Sequence, residues 1–236
     1  MRKTVLLAIP VVLATLAGVA SSATIVQTQA FSGIPDLTRT LAFNQFDNQG
    51  GTRTLLSIRV VLSLTVSGGQ LILDNDGEGP ASGAFEFGGK AKLSSTDVAL
   101  LDNSFQPVPG EVKAVHSGLF SLAGNVGDVP FDYDPNAPDG MAYFGATESD
   151  TRSGFVNSAF WAAGAKGFLG TGTYDITADA LQRATYGSFS GVEHAESPVS
   201  TDGEVMVIYD YVPEPASAML LAVGMAAGIV RRRMKG

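Results

Sequence analysis

From Leu56 to Val66 the chain alternates: Ile58, Val60, Leu62, Leu64 and Val66 are apolar at every second position, separated by Arg59, Val61, Ser63 and Thr65. Successive side chains of a strand point to opposite faces, so this spacing gathers five apolar groups on one side of a sheet, which a helix of period 3.6 cannot do. Ser67-Gly68-Gly69 then supplies a turn, and Gln70–Leu73 reads as the returning partner of that strand. Further strands are expected over Leu37–Phe43, Ala84–Leu93, Gly118–Leu122, Gly154–Trp161, Gly167–Thr177 and Glu204–Tyr211, most of them bounded by Gly, Pro, Asn or Asp. One helical turn is expected near Ser95–Leu101, and no internal repeat of fixed period is visible. Many short strands without helices between them predict an all-β body, an antiparallel β-sandwich of jelly-roll or immunoglobulin-like type.

Such a body has to be held by its core. The 236 residues contain no Cys, which removes disulfide stapling together with thiol catalysis and thiolate metal sites. With 45% hydrophobic and 16% charged residues, the chain has the apolar content to bury a core. Between positions 24 and 212 it carries 9 basic and 22 acidic residues, a net charge of −13. A surface of that sign repels phosphate backbones and anionic membranes, which argues against nucleic acid as a partner. It suits a soluble exported domain or one with affinity for cations.

The two ends differ from the body. Met1-Arg2-Lys3 precedes an apolar run, Val5–Ala20, and then Ser21-Ser22-Ala23. A charged start, a hydrophobic stretch and small residues at Ser21 and Ala23 form a signal peptide over 1–23, with cleavage expected after Ala23. At the other end, Pro213-Glu214-Pro215 leads an apolar segment, Ala216–Val230, closed by Arg231, Arg232 and Arg233. Its fifteen residues make a helix of about 22 Å, short for a hydrocarbon core of about 30 Å. The segment is therefore expected to be a single transmembrane helix that holds the chain only until processing, its basic cluster on the cytoplasmic side.

The order Pro-Glu-Pro, short apolar helix and Arg cluster resembles the PEP-CTERM sorting signal of Gram-negative bacteria, which would occupy 213–236. The resemblance implies recognition by an exosortase at Pro213, Glu214 and Pro215, with Arg231–Arg233 as the basic stop. The body, 24–212, is similar to the choice-of-anchor E domain of such proteins. That likeness lies in Leu41-Ala42-Phe43-Asn44-Gln45-Phe46-Asp47, in Leu55–Val60, in Phe168-Leu169-Gly170-Thr171-Gly172-Thr173 and in the closing strand Val205–Tyr211. It implies surface attachment and assigns no catalytic residue.

Local chemistry is sparse. The two histidines, His116 and His194, stand near turn residues without ligand spacing, read as exposed loop positions, and no G-x-S-x-G elbow is present. Asp74-Asn75-Asp76-Gly77-Glu78-Gly79 begins like a Ca²⁺ loop, which makes Asp74, Asp76 and Glu78 candidate cation ligands. Phe85 at the twelfth position departs from that pattern, and an exposed polar hairpin turn is the competing reading. Asp128, Asp132, Asp134 and Asp139, interleaved with prolines, form a second acidic stretch open to the same two readings. Phe85, Phe87, Phe155, Phe160, Trp161 and Phe168 are expected in the core, with Trp161 the candidate for an exposed sugar-binding platform.

The function expected from these parts is an exported, exosortase-processed surface or extracellular-matrix protein with a non-catalytic structural or interaction body. Signal peptidase, exosortase and, before processing, the inner membrane are its expected partners, with exopolysaccharide or another cell-surface component as ligand. No cofactor is required, Ca²⁺ being the one candidate. A secreted carbohydrate-active hydrolase and a Ca²⁺-dependent adhesion module are the alternatives.

Overall fold

The computed structural model describes residues 21–127, 133–136, 138–187 and 190–214. Its strands are β1 (Ala23–Gly33), β2 (Leu37–Asn44), β3 (Arg53–Ser67), β4 (Gln70–Asn75), β5 (Ala81–Ser94) and β6 (Val112–Leu122). After them come β7 (Gly140–Phe144), β8 (Glu148–Phe155), β9 (Thr173–Thr185), β10 (Val192–Ser197) and β11 (Ser200–Pro213). Two four-stranded antiparallel sheets, ordered β1-β11-β3-β8 and β2-β9-β5-β6, form a β-sandwich-like body, and a smaller sheet, β10-β4-β7, completes it.

The pairing is nested. The first strand pairs with the last, β2 with β9, β3 with β8, β4 with β7, and β5 with β6. The chain is a long antiparallel ribbon folded back on itself at residues 95–111 and then rolled. Nesting places the alternating strand at the centre. The five apolar groups from Ile58 to Val66 are at most 1% exposed and share one core with Phe43, Phe85, Phe87, Ala91, Ala114, Ile176 and Ala178 of the other four-stranded sheet. At about 1.5–3 kcal/mol for each fully buried side chain, β3 is the strand the body can least do without.

Both open sides of the sandwich are closed by side chains. At one, Gln27 and Gln29 of β1 donate to the carbonyls of Asn44 (2.9 Å) and Ala42 (3.1 Å) of β2, and Gln27 accepts from the Asn44 amide (2.7 Å). At the other, Asp150 of β8 accepts from the Lys113 amide of β6 at 2.8 Å. Edge strands that would otherwise offer free backbone groups are thereby occupied.

Several expected elements differ. β4 does not return against β3, because β11 and β8 already take both edges of that strand; β4 pairs instead with β7 and β10. Gly68 and Gly69, both at φ near +70°, swing the chain out to the smaller sheet. The strand expected over Gly154–Trp161 lies earlier, at β8, and ends where Asn157 caps a short 3-10 turn, Ser158–Phe160. The strand expected over Gly167–Thr177 begins only at Thr173. No helical turn forms at Ser95–Leu101; the Ser95 hydroxyl takes the amides of Asp97 and Val98 in a side-chain turn that competes with helix. His116 and His194 lie on β6 and β10 rather than in loops.

Candidate functional site

A groove of about 450 Å³ opens at one end of the body. Three separate segments build it: Phe46–Asn48 after β2, Arg53 and Leu55 at the start of β3, and Trp161 with Leu169–Thr171 in the long connection between β8 and β9. That connection has little regular structure of its own, yet it is tightly held. Gln45 donates to the carbonyls of Lys166 (3.0 Å) and Gly167 (3.1 Å) and accepts from the Gly172 amide (2.9 Å). The Phe46 amide donates to Phe168 O at 2.7 Å, and the Gly170 amide to Phe46 O at 3.1 Å. Gly170 sits at φ +145°, and a Cβ there would collide with the Gln45 amide, so this position needs glycine.

A second clamp comes from Asp97. Its carboxylate meets Lys166 Nζ at 2.8 Å and the Asp175 amide at 2.9 Å, while its carbonyl takes the amides of Lys166 and Gly167. The Lys166 hydrogen bond, followed by that from the Asp175 amide, holds the Asp97 carboxyl below its ordinary value, and Asp97 in turn raises Lys166.

Within this frame the side chains are fixed. Trp161 is half-buried, its indole N–H donating to Val156 O at 3.2 Å. Its aromatic surface, Leu55 and the exposed Leu169 form the apolar wall above a buried Phe46. The Arg53 guanidinium lies 5.2 Å from the centre of the Tyr211 ring and forms no ion pair among the described residues. Asp47 accepts the Gln49 amide through Oδ1 (2.8 Å) and Asn48 the Gly50 amide through its side-chain oxygen (3.1 Å), and both residues line the groove. A cation, a carboxylate, an amide and the Thr171 hydroxyl thus border one aromatic surface.

Beneath the groove Phe46 contacts Tyr209 and Tyr211, with ring centres 5.7 Å apart in each case. Tyr209 joins the two sheets: it donates to Asn44 O at 3.1 Å, and its hydroxyl lies 2.7 Å from that of Tyr174, both tyrosines being fully buried. Burial raises both hydroxyls above the usual tyrosine range; the neighbouring tyrosine adds to this at Tyr174 and offsets part of it at Tyr209.

The two acidic stretches are partly buried, unlike the exposed turn of one sequence reading. Asp74, Asn75 and Asp139 are each 1% exposed, not an exposed turn, while Glu78 is exposed. Asp74 accepts the Asp134 amide (3.0 Å), Asp139 accepts the Val126 amide (2.8 Å), and the Asn75 amide donates to Asp139 O (3.0 Å). The two stretches, far apart in sequence, therefore meet, and their carboxylates serve as acceptors for backbone N–H groups that would otherwise be buried unpaired. Asp76 is half-buried and 3.4 Å from Asn125 Nδ2. Among the described residues no three His, Asp or Glu side chains are grouped to hold a metal ion. Asp128 and Asp132 lie outside the described residues.

Of the expected core aromatics, Phe85, Phe87 and Phe168 are buried, Phe160 and Trp161 are half-buried, and Phe155 is exposed. His116 stacks on Tyr143 at 4.6 Å and meets Glu148 at 3.3 Å; His194 meets the Tyr186 hydroxyl at 2.7 Å. Ala23 opens β1 opposite Tyr211, and Pro213 closes β11 opposite Arg53, with the Glu214 amide donating to Thr52 O at 2.8 Å. Val5–Ala20, Pro215, Ala216–Val230 and Arg231–Arg233 lie outside the described residues, and among those described no helix is long and apolar enough to cross a membrane.

No family model and no curated protein matches the sequence. Among solved structures, 83% of the chain aligns with 38% of a chain in the structure of the infectious bursal disease virus Gt strain, at 11% identity and a TM-score of 0.18. For the VP2 subviral particle of infectious bursal disease virus, 80% of the chain aligns with 38% of that chain, at 10% identity and a TM-score of 0.14. The chain spans well under half the length of these proteins, and likeness of this size transfers nothing to its function.

Proposed function

We propose that the chain is an exported surface or extracellular-matrix protein, trimmed at both ends, whose β-body is a non-catalytic interaction module. The observation that carries this reading is where the sheet starts and stops. The β1–β11 ladder opens at Ala23, the residue after which cleavage is expected, and β11 closes at Pro213, the first residue of the Pro-Glu-Pro triplet. The signal-peptide segment and the sorting segment thus leave the same end of one sheet, so both can be removed without breaking into the core. The nesting of first strand with last favours a jelly roll over an immunoglobulin-like sandwich for this body.

The groove presents a single carboxylate, Asp47, among its described lining residues. Two-carboxylate glycoside hydrolysis needs a second one at roughly 5–10 Å. This supports binding over turnover.

Mass spectrometry of the protein recovered from a host that carries an exosortase tests the reading. A mature form beginning at Thr24 and lacking the 216–236 tail is expected, and deletion of Pro213–Pro215 should leave a full-length, membrane-retained chain. Trimming and display of the deletion variant would overturn the sorting assignment. New reducing ends released from oligosaccharides by the purified protein would overturn the non-catalytic one.

A further inference from the structure

We infer that the groove at Trp161 binds a neutral saccharide, one sugar ring lying against the indole and its hydroxyls reaching Arg53, Asp47, Asn48 and Thr171. The inference rests on the reading of the body as a surface interaction module and names the class of ligand that module takes.

A pyranose has two unlike surfaces: faces of C–H groups and a rim of hydroxyls that both donate and accept. A site for it needs a flat apolar surface bordered by donors and acceptors together. The groove has that composition. Trp161 cannot turn its N–H toward a ligand, because Val156 O holds it, so the aromatic surface is what it offers. Arg53 supplies donors and forms no ion pair among the described residues; the Asp47 carboxylate supplies an acceptor, while Asn48 and Thr171 can bond a hydroxyl through their side chains. Hydrogen bonds from charged groups to hydroxyls are the stronger kind. At about 450 Å³ the groove falls within the range of small-molecule sites, roughly 300–1,000 Å³.

Two further features choose among ligands. A body of net charge −13, with Asp47 in the groove wall, disfavours polyanions, so a neutral sugar fits better than a uronate or a phosphorylated one. The walls are also held in advance by Gln45 and by the Asp97–Lys166 pair, so little ordering has to accompany binding.

Trp161 is the chain's only tryptophan, so emission from the purified full chain reports on this groove alone. Titration with neutral oligosaccharides (β-glucan, α-glucan, mannan, xylan and galactan series) is expected to give a saturable emission change with at least one of them. Arg53→Ala and Thr171→Ala should each weaken that binding by about tenfold, Thr171→Ala with an unchanged melting temperature and Arg53→Ala with one lowered by no more than the few degrees that loss of its contact with Tyr211 costs. Trp161→Ala, followed by calorimetry, should abolish it. Absence of a saturable response to every neutral series, in emission and in calorimetry, overturns the proposal. So does binding that survives both Trp161→Ala and Arg53→Ala, or a uronate oligomer that binds more tightly than any neutral one. Surface display is scored separately: a displayed chain that ignores every neutral sugar refutes the groove alone, and a sugar-binding chain that is never exported refutes the functional reading alone.

Discussion

The buried tyrosine pair allows a quantitative test of how the two sheets are joined. Tyr209 donates its proton to Asn44 O, so the proton between the two hydroxyls must come from Tyr174. The two phenylalanine variants are then unequal. Tyr174→Phe removes a donor, and Tyr209 keeps its bond to Asn44; the cost is that of one net hydrogen bond, about 1 kcal/mol. Tyr209→Phe strands the Tyr174 hydroxyl in the core, and leaving a buried donor unsatisfied adds roughly 1–3 kcal/mol. Asn44 O suffers less, because Gln27 Nε2 still reaches it. In a domain of this length 1 kcal/mol moves the melting temperature by about 2–4 °C, so thermal unfolding should place Tyr209→Phe several degrees below Tyr174→Phe. The double variant has no stranded hydroxyl and should be no less stable than Tyr209→Phe alone. Equal single effects, or a double variant whose loss is the sum of the two, would refute the proposed direction of the chain of hydrogen bonds.

The same pair should make the fold sensitive to alkali. Both hydroxyls are raised in the folded state, so the unfolded chain releases these protons first, near pH 10. Their contribution is complete below that pH and is lost as pH rises beyond it. Denaturant midpoints measured at pH 9 to 11 should fall, and fall less steeply in the double phenylalanine variant. At the acid end, Asp97 is lowered by Lys166 and the Asp175 amide, so its clamp holds above the normal carboxylate range and weakens as pH drops through and below that range. Asp97→Ala should speed hydrogen exchange at the Asp175 amide while leaving exchange in β3 unchanged. Gly170→Ala should cost about 1–3 kcal/mol and shift Trp161 emission, since the Cβ would displace Gln45 and the connection it holds; an unperturbed spectrum would show that the connection has another support.

Much of the fold could be read locally. A strand declares itself by a period of two, and the residues that carry it lie side by side in sequence. For this reason β2, β3, β5 and β11 were legible from Leu41, Ile58–Val66, Phe85–Phe87 and Val205–Tyr209. β1 was not, because Gln27, Thr28 and Gln29 face solvent or the neighbouring sheet edge and its one buried residue is Phe31. β7 and β10 are short and half-exposed, and depend on β4 between them for their pairing.

Partnership was beyond local reading. Gly68-Gly69 signals a change of direction and says nothing about the destination, which depended on β11 and β8 having occupied the edges of β3. The burial of Asp74 and Asp139 likewise rests on amides from Asp134 and Val126, so no pattern around either aspartate could have announced it. The groove shows the division most clearly. Gln45-Phe46-Asp47 and Phe168–Gly172 stood out as separate stretches, and Trp161 as a lone aromatic, while Arg53 and Asp97 drew no notice. Apolar-faced strands follow from the order of residues alone, because alternation is a property of neighbours. That the segment around Phe46–Leu55 would meet a connection more than a hundred residues further on and close with it around one tryptophan depended on the rolled-up fold, which alone brings such distant segments into hydrogen-bonding range.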